Sequence, residues 1–326
     1  MDIIKHKKIF LIIGAGIVIV SALIVAYFGL KPGIDFTGGS LMEVTYATLP
    51  EKAEVESAVA ALSLGGADVR QSAGDEGAGY LINTRDLTDN ERQQLEDALL
   101  SLGTEGTVAR FTSIGPVIGA ELADKAVWAI GAVLLIILCY VAFAFAGIGK
   151  PVSSWIYGFL VTLILGHDIL VPVAAMSILG FTLGSEVDIL FVTALLTILG
   201  YSVNDTIVIF DRVREKLVQN RTEHVRKINE PGGVVRTEIT HTLTKSFADI
   251  VGQAVDETMA RSINTSLTVF LALASLYIFG SEVTRTFVLV LMVGVLAGAY
   301  SSIFIASPLL VAIEQHLAKK KKTSGK

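Results

Sequence analysis

Six stretches of this chain are apolar over about the 20 residues that a helix needs to cross roughly 30 Å of hydrocarbon. They are residues 9–30, 126–148, 153–177, 187–210, 255–279 and 286–313. Between the first two the pattern changes. Leu41, Glu43 and Thr45 alternate with Met42, Val44 and Tyr46, which predicts a strand. Residues 51–62 set Val55, Ala58, Val59 and Leu62 at helical spacing behind an acidic start, and residues 67–72 and 79–84 predict two short strands split by Gly74-Asp-Glu-Gly77. Thr88, with Glu91 three residues on, predicts a capping box at the head of a helix that runs to about residue 102 with Leu95, Ala98, Leu99 and Leu102 on one face. Residues 107–113 predict a last strand. The order strand, helix, strand, strand, helix, strand is the ferredoxin-like arrangement.

Composition agrees with a membrane protein, since 52% of the 326 residues are hydrophobic. The first stretch reads as a retained span and not a cleavable signal, because Lys31 and Pro32 follow it where a small-residue cleavage site would stand. Lys5, Lys7 and Lys8, then Lys150, then Arg212, Arg214, Lys216, Arg221, Arg226, Lys227, Arg236 and Lys245, then the lysines at 319–322 all fall on one side of six spans. The positive-inside rule makes that side cytoplasmic and puts both termini there. The expected architecture is an α-helical membrane protein of six transmembrane helices with one extracytoplasmic ferredoxin-like α+β domain. Its segments are residues 1–30 (cytoplasmic N-terminus and first helix), 31–122 (extracytoplasmic domain), 123–210 (helices two to four), 211–254 (basic cytoplasmic loop), 255–313 (helices five and six) and 314–326 (basic tail). The net charge of -5 hides an asymmetry, because residues 31–121 hold fifteen acids against six bases. That argues against nucleic acid as a partner for this domain, while the basic loop is suited to face anionic membrane lipid or ribosomal RNA, with ordinary positive-inside bias the preferred reading. Cys139 is the only cysteine, so neither an internal disulfide nor a cysteine metal site is available.

The candidate chemistry lies within the spans. Gly200-Tyr-Ser-Val-Asn-Asp-Thr-Ile-Val-Ile-Phe-Asp-Arg-Val-Arg-Glu-Lys216 puts Asn204 and Asp205 in an apolar run whose charged border comes only at Asp211, Arg212 and Arg214. A carboxylate at that depth costs about 2.5–3.5 kcal/mol on insertion scales, so Asp205 is expected to be paired, to face protein or water, or to carry a proton. The plainer alternative is a neutral acid that only joins two helices. Arg261 lies 18 residues before Phe279, and Asp205 lies 18 residues after Val187. At about 1.5 Å per residue the two share a depth to within roughly a turn, which allows an ion pair. Arg261, Asn264, Thr265 and Thr268 also fall at i, i+3, i+4 and i+7, a polar stripe on one helix face; an arginine that snorkels to the interface is the alternative. His167 and Asp168 add a second ionisable pair in the third span, about 100° apart around the helix. The expected proton pathway is therefore Asp205, Arg261, Asn264, Thr265, Thr268 and Asp168. Gly294 and Gly298 make a Gly-x-x-x-Gly spacing suited to close helix packing. No nucleophile–base pair, metal-ligand cluster or phosphate loop is apparent, so neither an enzyme nor a cofactor is expected.

Four motifs taken together resemble the SecD/SecF family of protein-export membrane proteins, in the resistance-nodulation-division superfamily. They are Gly33-Ile-Asp-Phe-Thr-Gly-Gly39, Ile114-Gly-Pro-Val-Ile-Gly119, the run from 200 to 215, and Ala260-Arg-Ser-Ile-Asn-Thr-Ser-Leu267. The resemblance implies the smaller half of the pair, in the bacterial plasma membrane, with a SecD-like subunit and the SecY translocon as partners and unfolded preprotein as cargo. It also implies that protons moving down their gradient assist export, with the family's intramembrane acid at Asp205 and its arginine at Arg261. His241-Thr-Leu-Thr-Lys-Ser246 resembles the same arginine motif, but only Arg261 is followed by Ile263-Asn-Thr-Ser and an apolar run. The segment 216–258 is longer than the family pattern, and an amphipathic surface helix or a docking element for a cytoplasmic partner would each account for it. A competing function is a proton-coupled small-molecule or lipid exporter of the same superfamily. One domain of about 90 residues leaves little room for a pocket of several hundred Å³. A purely structural subunit would not need Asp205 and Arg261 at one depth.

Overall fold

A computed structural model describes residues 3–74, 77–103, 105–146, 151–229 and 235–324. The Asp75-Glu76 turn and Lys150 of the charge count lie outside the described residues. Six helices among them are long and apolar enough to cross a membrane. The first is α1 (Lys7–Phe28), followed by a single helical turn, α2 (Ile34–Thr37), which the Pro-Gly break in the sequence did not signal. The small domain comes next as β1 (Gly39–Thr45), α3 (Lys52–Ala61), β2 (Asp68–Gly74), β3 (Gly77–Thr84), α4 (Asp89–Leu100) and β4 (Thr107–Ile114).

The four strands are antiparallel in the order β2-β3-β1-β4, the ferredoxin-like sheet. Period-two alternation decides which face is covered. Met42, Val44, Tyr46, Tyr80 and Ile82 point to one side and are buried against Val55 and Val59 of α3 and Leu95 and Leu99 of α4. The capping box is present at α4: the Glu91 N–H donates to Thr88 Oγ1 at 3.4 Å, and the Thr88 N–H donates to Glu91 Oε2 at 2.9 Å. The Arg85 guanidinium bonded to Glu91, helped by Thr88, pulls that carboxyl down to about 2.

Two sequence motifs turn out to be the two sides of one backbone contact. Gly38 has φ +72°, and a Cβ there would stand 2.6 Å from the Pro116 Cα; a Cβ on Gly119 would stand 2.7 Å from the Gly38 nitrogen. Only glycine permits that approach, which fastens α2 onto the start of α5 (Pro116–Ala144).

The remaining elements are α6 (Ser154–Leu183), α7 (Ile189–Gln219), β5 (Arg221–Asn229), β6 (Val235–Leu243), α8 (Phe247–Phe279), α9 (Glu282–Ser301), a π-helical turn (Ser302–Ala306) and α10 (Ser307–Ser324). The sixth apolar stretch is thus α9 and α10 run together through the π turn. Several helices outrun their apolar stretches. The second begins at Pro116 and not at 126, the third continues to Leu183, the fourth to Gln219, and the fifth starts at Phe247 and not at 255. Hydrophobicity marks only the part of a helix that lies in hydrocarbon; the flanking turns persist because nothing breaks them and because Ser246 caps α8, accepting the Asp249 N–H at 3.2 Å.

The connection expected over 216–258 therefore contracts to 220–246, and it holds an antiparallel hairpin in place of a surface helix. Thr222, Val225 and Ile228 on one strand and Val235, Thr237, Ile239 and Thr242 on the other supply the β-branched content that favours strands.

The helix core has two parts. In one, Phe145 and Tyr157 stack with centroids 5.3 Å apart and Phe210 meets both edge-on. Met176, Phe191, Ile198 and Leu291 make the other. Gly294 and Gly298 lie where α9 meets α7: a Cβ on Gly298 would stand 3.0 Å from the Ser202 Cβ, and one on Gly294 would collide with Ile198. This is the close packing that the Gly-x-x-x-Gly spacing anticipates.

Two consequences can be measured. Thr88→Ala should cost about 1 kcal/mol of local stability, read as faster amide exchange over 89–100 in the whole chain; unchanged exchange would mean that the cap contributes nothing. Gly119→Ala should lower the melting temperature in detergent, since overpacking against fixed backbone costs about 1–3 kcal/mol. Gly131→Ala, whose Cβ meets open space, should not lower it.

Candidate functional site

Asp205 lies 5% exposed on α7. Ser266 on α8 donates to its Oδ2 at 3.2 Å, and Tyr201 in turn donates to Ser266 Oγ at 3.2 Å. Ser262, one turn before Ser266, is buried too, and its Oγ has no hydrogen-bond partner. Thr258, Ser262 and Ser266, spaced four apart, are the polar residues that α8 turns inward.

The stripe expected to meet Asp205 lies about 100° round α8 from these serines. Arg261, Asn264, Thr265 and Thr268 are all exposed. No direct hydrogen bond or ion pair joins Arg261 to Asp205 among the described residues. Thr265 and Thr268 satisfy their hydroxyls on their own helix, donating to the Arg261 and Asn264 carbonyls at 3.0 and 2.8 Å. The reason is angular: a helix turns about 100° per residue, so Ser262 and Ser266 lie one step round from Arg261 and Thr265, and packing against α7 selects the serine side.

Asp168 on α6 is fully buried. His167 Nδ1 stands 2.8 Å from its Oδ1. Ser202 of α7 and Ser301 of α9 both donate to Oδ2, the latter at 2.9 Å. Thr206 and Ser302 pair their hydroxyls at 2.9 Å beside them. This cluster gathers where α9 gives way to the π turn, a kind of irregularity frequent at functional sites. α7 thus carries polar contacts on two flanks, Ser202 and Thr206 toward Asp168 and Asp205 toward α8. The sequence contained a signal for this, since Ser202, Asp205 and Thr206 fall at i, i+3 and i+4. Ser301 and Ser302 had none, being small residues in an apolar run. At the hairpin end, Glu257 of α8 accepts from Arg212 Nε at 2.5 Å and pairs with Lys216 at 2.6 Å, joining α7 and α8 again.

The exposed surfaces of the spans are of two kinds. α1 and α5 present Ile12, Leu23, Trp128 and Phe143. α7 presents Thr193, Thr197, Gly200 and Asn204, which repeat at i, i+4, i+7 and i+11, and α8 presents the Arg261 stripe among Ile263, Leu267 and Leu271. Lipid suits the first surface and not the second.

With this geometry in view, comparison with known proteins is informative. The sequence model of the family described as protein export membrane protein SecD/SecF, C-terminal, matches residues 94–232 and 233–316, its two segments meeting between β5 and β6. The SecD/SecF GG motif matches residues 28–48, which include Gly38 and Gly39. The chain is 36% identical to protein translocase subunit SecF of Thermobaculum terrenum, over 96% of this chain and 94% of that one, and 34% identical to the subunit of the same name from Anaerolinea thermophila, with the same coverage. Among solved structures it resembles SecDF from Thermus, described as a translocon-associated membrane protein, with a TM-score of 0.76 and 29% identity over 97% of this chain. A second structure, SecDF in a super-membrane-facing form, gives 0.62 and 30% over 98%. This chain spans 39% of each of those two solved chains. Sequence, motif positions and fold agree, and the chain belongs to the SecD/SecF family of protein-export membrane proteins.

Proposed function

We propose that this chain is an accessory subunit of the Sec protein-export machinery, working in the bacterial plasma membrane beside a SecD-like partner and the SecY translocon, and that protons passing through Asp205 drive its contribution to preprotein translocation. The observation that carries the reading is a carboxylate at mid-span, buried between α7 and α8, that accepts from the Ser266 hydroxyl, with Arg261 one helical step round on an exposed face of α8. The polar faces of α7 and α8 are then the surface that the SecD-like partner covers, and the apolar faces of α1 and α5 meet lipid. The basic hairpin end is cytoplasmic by the positive-inside rule, with both termini on that side. The relatives' shared description as translocase subunits supports a transport role and not an enzymatic one.

In the cycle we propose, ionised Asp205 holds α8 through Ser266 and through the charge of Arg261. A proton entering from the side of the small domain cancels the charge. The attraction across the α7–α8 contact weakens, and the two helices shift. Asn264, Thr265 and Thr268, next to Arg261 on the open face, line the route to it together with the partner's surface. Asp168 is a second ionisable group on the far flank of α7.

Asp205→Asn should insert and assemble normally yet abolish the stimulation of export by a proton gradient, measured in inverted vesicles. Wild-type stimulation would rule out proton carriage by this residue. Asp168→Asn replaces an acceptor that receives hydroxyls with a group that also donates, so it should lower the melting temperature by leaving a buried donor unmatched, at about 1–3 kcal/mol, while retaining gradient-stimulated export. If instead its export falls as far as that of Asp205→Asn, Asp168 is on the pathway. Arg261→Lys should impair stimulation strongly, because a guanidinium keeps its charge in a shielded site where an ammonium readily loses it. Export indistinguishable from wild type across a pH series would mean that Arg261 only anchors α8 at the interface.

A further inference from the structure

The small domain is tied to the helices by more than its two covalent junctions. The loop between α6 and α7, residues 184–188, runs against it and is held from several sides. Arg70 of β2 donates from Nη1 to the Gly184 carbonyl and from Nη2 to Glu186 Oε1. Asn83 of β3 donates from Nδ2 to both oxygens of the same carboxylate, at 2.8 and 3.0 Å, and Lys31 Nζ stands 3.9 Å from Oε1. The backbone joins in: the Val187 N–H donates to the Lys31 carbonyl and the Gly33 N–H to the Val187 carbonyl, each at 2.8 Å. Asp35 then accepts the Ile189 N–H at 2.8 Å, and Asp188 accepts the Phe191 N–H at 2.7 Å. The first turn of α7 is therefore capped both by its own N-cap residue and by a residue from the entry to the domain.

This contact is concentrated, not spread. Beside it a cavity of about 840 Å³ separates Leu41, Glu43 and Arg110 on the open sheet face from Leu183, Phe191 and Phe287 at the helix ends. The sheet does not rest flat on the bundle, so the loop carries contact that much of its open face does not make. Glu186 and Arg70 are also largely shielded, with side chains 18% and 22% exposed, and charge-assisted bonds in such a setting are stronger than exposed ion pairs. From Ile189 to Asp205 is 16 residues of unbroken helix, about 24 Å at 1.5 Å per residue.

We propose that Glu186, gripped by Arg70 and Asn83, is the mechanical link through which the position of the small domain is coupled to α7 and so to Asp205. Glu186 is a positioning residue in this scheme; it touches no cargo and no proton in transit. The inference rests on the reading of Asp205 above. It places the coupling in the α6–α7 loop, whereas the covalent tethers alone would pass domain motion only to α1 and α5.

The test uses the full chain with its SecD-like partner in inverted vesicles and compares Arg70→Glu, Glu186→Arg and the two combined. Each single change should speed amide exchange over 184–189 and reduce gradient-stimulated export about tenfold, as expected for loss of a shielded charge pair. The reversed pair should restore most of both. Glu186→Gln, which keeps the shape and one set of hydrogen bonds, should give intermediate values and serves if a charge reversal does not assemble. Single variants with faster exchange but wild-type export would overturn the proposal, and so would unchanged exchange, or a reversed pair that recovers exchange without recovering export. Asp205→Asn separates the two ideas, since it should leave exchange over 184–189 at the wild-type rate. If Asp205→Asn exports normally while the loop variants do not, the proton reading fails, and with it the step to Asp205, while the link from the small domain to α7 stands.

Discussion

A carboxylate at mid-span has to be provided for, and much of the helical architecture follows from how this one is. Water is absent from hydrocarbon, so an acid must find donors, a counter-charge or a proton within protein. Ser266 supplies a donor to Asp205, and Ser202 and Ser301 do the same for Asp168. Each donor comes from a neighbouring helix, and hydroxyls are short, so the helices must come close. Gly294 and Gly298 let α9 approach α7 at that level. The polar chemistry and the small-residue packing are a single arrangement.

The same logic extends to the surfaces. Arg261 lies on an exposed face of α8, and Asn204 and the threonines of α7 at 193 and 197 are exposed as well. A polar face at span depth is less suited to lipid than an apolar one. α1 and α5 expose aliphatic and aromatic side chains instead. The two solved relatives, of which this chain spans 39%, are longer chains.

The hairpin between α7 and α8 falls where the family match divides in two. It joins the very helices that enclose Asp205, and the ion pairs of Arg212 and Lys216 with Glu257 brace them just below it. An isolated two-stranded hairpin has little stability of its own; here the two long helices at its base fix the ends of both strands. The segment therefore connects α7 to α8 without loosening their contact.

Much of this was legible in the sequence because it depends on local rules. Six spans follow from runs of about 20 apolar residues, the sheet face from the alternation through Met42, Val44 and Tyr46, and the head of α4 from Thr88 and Glu91. Asp205 and Asp168 stand out because acids are costly where they lie. Tertiary structure alone decided the rest. The serines that meet the two acids are small residues in apolar runs, and one step of about 100° distinguishes the inward Ser262 and Ser266 from the outward Arg261 and Thr265; only packing against α7 makes that choice. Helix ends ran past the hydrophobic stretches because hydropathy reports hydrocarbon and not hydrogen bonding. The grip of Arg70 and Asn83 on Glu186 joins residues more than a hundred positions apart, and no local pattern encodes a meeting that exists only once the small domain and the α6–α7 loop have folded against each other.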